Sequence, residues 1–109
     1  MSTISTHVLD TSLGKPAAGI SVALERDGAV IGEARTDEDG RVKDLLEEGE
    51  QLESGTHDLV FAVGNYFRGT GQDAFYDRIV ISFLVGPDPG HYHVPLLLSP
   101  FGYSTYRGS

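Results

Sequence analysis

Three of the four histidines, one arginine and the last four residues hold the side chains in this sequence that could do chemistry. His91 and His93 are one residue apart in the run His91-Tyr92-His93-Val94-Pro95. If that run is a strand, both imidazoles fall on one face. Two imidazoles at that spacing, joined by distant His7, could hold a metal. No acid or cysteine lies beside them in sequence to complete the set. The expectation is therefore a site without metal or other cofactor. Arg41 directly follows Asp39-Gly40. Such a turn can aim a guanidinium into a cleft, although plain exposure is the commoner outcome. The chain ends Tyr106-Arg107-Gly108-Ser109, a phenol, a guanidinium, a flexible glycine, a hydroxyl and a carboxylate. Terminal residues fray unless something ties them down, so this is a dense polar set for a dispensable end.

Other chemistries fit poorly. Asp37-Glu38-Asp39-Gly40 has the composition of a calcium loop but lacks the ligand spacing and the closing bidentate glutamate. Ser104 and Ser109 sit in no Gly-x-Ser-x-Gly elbow, so a serine nucleophile has no local support. There is no cysteine, which removes disulfides, thiol catalysis and cysteine zinc sites. The net charge of −8 argues against nucleic acid, because a phosphate-binding surface needs clustered Lys and Arg. Eight of the sixteen acids fall between residues 37 and 53 and read as a solvated edge that aids solubility. The residues after Met1 lack a basic n-region and an apolar h-region, so no signal peptide is expected. No apolar run approaches the ~18 residues that span a bilayer. The expectation is a cytoplasmic protein with no membrane partner.

Elements must carry these groups to one place, and the 109 residues suit a single domain over 1–109. Alternation of period two is the recurring signal. Ile4, Thr6 and Val8 share one face of their run, which turns His7 away from the core. Ile20, Val22 and Leu24 form another such face, as do Leu59, Phe61 and Val63, and Ile79, Ile81, Phe83 and Val85. Asp27-Gly28 reads as a tight hairpin turn because both residues tolerate positive φ. Ser12 to Pro16, Asp39-Gly40 and Gly86 to Gly90 are further turns. Short strands with Gly and Pro punctuation predict an all-β sandwich. One short helix is expected near Asn65 to Arg68, with Asn65 as N-cap and Gly69 and Gly71 ending it. In the run His91 to Leu98, Tyr92, Val94, Leu96 and Leu98 make a core face. His91, His93, Pro95 and Leu97 make a face that begins polar and ends apolar. Pro95 cannot donate to a ladder and belongs at an edge or bulge. An apolar patch outside the core needs a cover, which a second copy of the chain would supply.

His91 to Ser99 followed by Gly102 to Ser109 resembles the C-terminal signature of the 5-hydroxyisourate hydrolases, the transthyretin-like enzymes of purine breakdown. Thr6-His7-Val8-Leu9-Asp10 with Gly14-Lys15-Pro16-Ala17 is similar to the other signature of that family, and so is Thr36-Asp37-Glu38-Asp39-Gly40-Arg41. The resemblance spans nearly the whole chain, and the tail is its specific part. It implies a transthyretin-like sandwich of two four-stranded sheets with one short helix, assembled as a homotetramer. It implies hydrolysis of 5-hydroxyisourate, a small molecule of urate degradation, to 2-oxo-4-hydroxy-4-carboxy-5-ureidoimidazoline. The catalytic groups it maps are His7, Arg41, His93, Tyr106 and Ser109, with Arg107, Gly108 and His91 lining the substrate pocket. His7 and His93 would activate water, since an imidazole of pKa ~6.5 is available as a base near neutrality. Arg41 would stabilise the developing negative charge. Transthyretin, the related carrier, looks to have lysine at the position of His7, glutamate at Arg41 and threonine at His93 and Tyr106. This chain sides with the enzyme at all four. The alternatives are a carrier of small aromatic ligands, a histidine metallohydrolase, and a purely structural domain if His7, Arg41 and His93 lie far apart.

Overall fold

The computed structural model describes residues 2–47 and 49–109. Glu48, one acid of the 37–53 run, lies outside them; the other seven acids of that run are exposed. The elements are β1 (Thr3–Asp10), β2 (Lys15–Pro16), β3 (Ser21–Arg26), β4 (Ala29–Arg35), β5 (Arg41–Val42), β6 (Gly55–Phe61), α1 (Val63–Thr70), β7 (Ile79–Val85), β8 (His91–Ser99) and β9 (Gly102–Thr105). One sheet runs β4-β3-β6-β7. The other follows the path β2-β1-β8-β9, with the two-residue β5 also paired to β1. The architecture is thus the expected sandwich, except that two very short strands share the outer edge of β1 and raise the count of that sheet to five.

Period-two patterning decides which faces meet. Ile4, Thr6 and Val8 on β1 and Leu96 and Leu98 on β8 are fully buried. They pack with Val22, Leu24, Leu59, Phe61 and Ile79 of the other strands in one core. Thr6 keeps its hydroxyl satisfied there by donating to the Val94 carbonyl at 2.6 Å, which removes the desolvation cost of a buried polar group. Burying each large aliphatic side chain is worth roughly 1.5–3 kcal/mol. A one-residue slip of β8 would trade Tyr92, Val94, Leu96 and Leu98 for the histidine face, so the register is strongly held. The core therefore fixes the direction in which the histidines look. The Asp27-Gly28 hairpin joins β3 to β4 with φ of 52° and 80°, the doubly left-handed turn that matches strand twist.

Two expectations shift. The helix begins at Val63 rather than after an Asn65 cap. Gly64 donates its N–H to the Asp77 carbonyl at 2.8 Å, so backbone rather than a side chain satisfies that orphan donor. Asn65 sits within the helix and accepts from Arg68 instead. Gly69 is helical, and Gly71, with φ 74°, ends the helix. Pro95 is not on an edge: β8 lies between β1 and β9. The β9 ladder stops at Leu96–Thr105 and resumes as a bridge between His93 and Gly108. The Pro95 carbonyl accepts from Thr105 Oγ1 at 2.7 Å, so its missing N–H faces the gap in that ladder and costs no hydrogen bond. Pro95 is buried, and the chain's own Gly108 packs against it, so part of the apolar patch is covered from within. No helix among the described residues is long and apolar enough to cross a membrane.

Candidate active site

The outer face of the β1–β8 pair carries the chemistry. The two strands are parallel, with Thr3 opposite His91, Ser5 opposite His93 and His7 opposite Pro95. Because side chains alternate, these six residues share the face turned away from the core. On the far side of β1, Arg41 of β5 is the register partner of His7, which brings guanidinium and imidazole to the same face. A cavity of about 350 Å³ opens here, lined by Ser5, Thr6, Arg41, Val42, Lys43, His91, His93 and Ser109. Histidine, arginine and terminal serine, separated by tens of residues in sequence, therefore meet on one cavity. His7 adjoins this group through its pairing with Arg41.

Arg41 is held by the turn before it. Asp37 Oδ1 accepts from the backbone N–H of Arg41 at 3.0 Å and of Asp39 at 2.9 Å. The Arg41 N–H bond, more than the Asp39 bond and the nearby Lys43 and Arg41 charges, keeps the Asp37 carboxyl below its ordinary range. Gly40, with φ 73°, donates its N–H to the Asp37 carbonyl, and its own carbonyl accepts from Val8 N at 2.8 Å. A Cβ at Gly40 would collide with the Val8 carbonyl, so only glycine lets this turn dock on β1 and deliver Arg41.

The imidazoles form a hydrogen-bonded row. His93 Nδ1 meets Ser5 Oγ at 2.7 Å, and the same oxygen meets His91 Nε2 at 2.9 Å. His91 Nδ1 in turn reaches Thr3 Oγ1 at 2.5 Å. The rings of His91 and His93 lie nearly parallel, 15° apart, with centroids 6.5 Å apart. His93 is half-buried, and its imidazole titrates below the ordinary value. Burial is the chief cause, reinforced by the charges of Arg41, His91 and His7. The environment thus keeps His93 neutral, the form that accepts a proton. Its Nε2 makes no hydrogen bond among the described residues. These residues contain no group of three or more His, Cys, Asp or Glu side chains arranged to hold a metal ion.

The tail divides. Gly108 donates its N–H to the His93 carbonyl at 2.7 Å and lies flat against the imidazole, where a Cβ would stand 2.5 Å from His93 Cδ2. Gly108 is not among the residues lining the cavity, but its backbone bond to His93 leads the chain to Ser109, which is. Tyr106 and Arg107 face elsewhere within the chain. They line a second, more apolar cavity of about 330 Å³ with Ile81, Phe83, Leu84, Tyr92, Val94 and Thr105. There the Arg107 guanidinium sits 4.7 Å from the Tyr92 ring centroid, a cation–π contact.

Sequence reasoning passed over Thr3, Ser5 and Lys43. The first two are in phase with His7 at steps of two, but only the pairing of β1 with β8 reveals that they face His91 and His93. Lys43 reaches the cavity because it follows Arg41 at the same step of two.

Comparison with known proteins agrees with this geometry. Residues 4–108 match the model of the HIUase/Transthyretin family. A 5-hydroxyisourate hydrolase of Mesorhizobium japonicum is 49% identical over 97% of this chain and 91% of its own length. The solved 5-hydroxyisourate hydrolase of Klebsiella pneumoniae superposes with a TM-score of 0.90 at 38% identity, covering 100% of this chain and 94% of that one. Sea bream transthyretin in complex with thyroxine superposes with a TM-score of 0.86 at 28% identity, covering 97% and 94%. The chain belongs to the HIUase/Transthyretin family, among its hydrolases.

Proposed function

We propose that this protein hydrolyses 5-hydroxyisourate at the N1–C6 bond, yielding 2-oxo-4-hydroxy-4-carboxy-5-ureidoimidazoline in urate degradation. The observation that carries the reading is the meeting of Arg41, His93 and Ser109 on one cavity, in a chain whose full-length relatives bear that activity by name. The reaction is water attack on an amide-like carbonyl. It needs a base for water, a donor for the oxyanion and a hold on a flat polar ring.

His93 Nε2 takes the proton from water, and His7, the register partner of Arg41, assists in orienting it. Such bases are worth on the order of 10²–10⁴ in rate. Arg41 is always protonated and so serves as oxyanion donor, not base. As the C6–N1 bond breaks, the proton on His93 passes to N1 and C6 leaves as a carboxylate. Ser109 binds the ring through its hydroxyl. Tyr106 and Arg107 belong to the neighbouring cavity within one chain and are left out of this step. The working form is a homotetramer, in keeping with the apolar residues Val80, Leu84 and Tyr103 left exposed on the outer strands.

The test is to generate 5-hydroxyisourate from urate in situ and follow its decay by ultraviolet absorbance with and without the protein. Decay no faster than the spontaneous rate overturns the proposal. A second reading, a carrier of small aromatic ligands, draws on the apolar cavity beside Tyr106 and the likeness to a thyroxine complex. An equilibrium binding screen run beside the hydrolysis assay separates the two.

A further inference from the structure

The row Thr3–His91–Ser5–His93 spans the outer face from solvent to the cavity, and its geometry fixes more than side-chain position. Ser5 is 8% exposed and carries one hydroxyl proton between two imidazole nitrogens, His93 Nδ1 at 2.7 Å and His91 Nε2 at 2.9 Å. Its single proton can be donated to only one of them, and its lone pairs can accept from the other. If His93 Nε2 is to take a proton, His93 Nδ1 must carry the hydrogen and donate it to Ser5. Ser5 then donates to His91 Nε2, and His91 Nδ1–H donates to Thr3 Oγ1. The row could also run the other way with every bond kept, but only this direction leaves His93 Nε2 free to accept a proton.

We propose that Ser5 is a positioning residue that locks His93 in the Nδ1–H tautomer and links it through His91 and Thr3 to solvent as a proton relay. The inference rests on the hydrolase reading above, which sets the direction of the row, but the tautomers themselves can be read without substrate.

The transfer balances. Water gives a proton to His93 Nε2 while its oxygen bonds to C6. The Nδ1 proton of His93 moves to Ser5, the Ser5 proton to His91 Nε2, the His91 Nδ1 proton to Thr3, and the Thr3 hydroxyl proton to solvent. Every ring ends neutral, in the opposite tautomer. When C6–N1 breaks, N1 takes the proton on His93 Nε2 and the row runs back, drawing one proton from solvent. The new carboxylic acid ionises, so each turnover releases one net proton. The advantage is electrostatic. An imidazolium at His93 would share its cavity with Arg41 and Lys43, and like charges at close range disfavour it. Passing the charge outward avoids that state. Thr3 is exposed, so the outer end of the row meets water directly.

Two measurements test this on the intact protein. Nitrogen-15 NMR of the histidine rings near neutral pH reads tautomers without any substrate. Both His93 and His91 are expected as Nδ1–H in the wild type, with Ser5→Ala converting His93 to a mixture. A wild-type His93 in the Nε2–H form overturns the proposal. Steady-state kinetics then compare Ser5→Ala with Ser5→Thr. The base itself remains in Ser5→Ala, so kcat should fall about 10- to 100-fold, part of the general-base contribution, with KM changed less than twofold. Ser5→Thr keeps a hydroxyl on a strand that accepts β-branched residues and should recover kcat to within about threefold. Equal kcat for wild type and Ser5→Ala, or no recovery in Ser5→Thr despite a native thermal transition, refutes the relay. If the wild type itself fails to speed decay of 5-hydroxyisourate, the hydrolase reading falls while the tautomer result still stands or fails on its own.

Discussion

Gly108→Ala should cripple turnover while leaving the fold nearly intact. The new Cβ would lie 2.5 Å from His93 Cδ2, 3.3 Å from His93 Cγ and 3.3 Å from the Pro95 ring. Carbon atoms settle at ~3.5–4.0 Å, so about 1 Å must be found. The ring can yield only by stretching its 2.7 Å bond to Ser5, or the tail can lift, breaking the 2.7 Å bond from Gly108 N–H to the His93 carbonyl and drawing Ser109 out of the cavity. Both routes misplace a reacting group by about 1 Å, which costs on the order of a hundredfold in rate. The stability cost stays near the low end of the ~1–3 kcal/mol typical of overpacking, because Gly108 is only half-buried and lies between the exposed Arg107 and Ser109. In a domain of this size 1 kcal/mol shifts Tm by roughly 4–8 °C. The assay is kcat for 5-hydroxyisourate decay beside a thermal melt. Gly102→Ala is the control, since a Cβ there meets only Ser99 Oγ at 3.7 Å, an ordinary contact. Wild-type turnover in Gly108→Ala, with an unshifted His93 resonance, would refute this role of Gly108.

Arg41→Glu should lower kcat/KM by roughly 10²–10³, the ~3–4 kcal/mol lost with an oxyanion donor elsewhere. Arg41 is exposed, so Tm should hardly move, and wild-type rates would remove Arg41 from the mechanism. A tag fused after Ser109 should depress turnover without unfolding the protein, whereas an N-terminal tag should not; equal activity of the two forms counts against Ser109. The acid limb of kcat/KM should have its midpoint below the ordinary histidine value of ~6.5, because burial and neighbouring charge keep His93 neutral to lower pH. The same shift means that the unfolded chain binds more protons than the folded one near that pH, so this group lowers stability as pH falls. A midpoint at or above 6.5 in a pH–rate series would contradict the assignment of His93 as base.

The fold was legible because the core is written in period two. Ile4, Thr6 and Val8 announce a buried face without any help from distant sequence, and the structure buries all three. Where a long-range backbone contact decides, local signals mislead. Asn65 has the chemistry of a cap, yet the Asp77 carbonyl satisfies the Gly64 N–H and the helix starts earlier. Pro95 looks like an edge residue, yet the C-terminal segment returns past it with its ladder broken at the one position where proline can supply no donor.

The site followed the same division. Histidine, arginine and tail could be nominated by residue type, but type does not tell a lining group from a supporting one. Gly108 shows how a residue can act through its backbone alone. It contributes no side chain, and the absence of a Cβ is what allows backbone to press on the imidazole. Ser5 and Thr3 were invisible for the opposite reason. A hydroxyl on a strand is unremarked until a parallel partner sets it opposite His93 or His91, and parallel pairing between residues nearly ninety positions apart leaves no local trace. Once that register is known, Ser5 has two imidazole nitrogens and one proton to divide between them. The direction of the whole row then follows from which nitrogen of His93 must stay free.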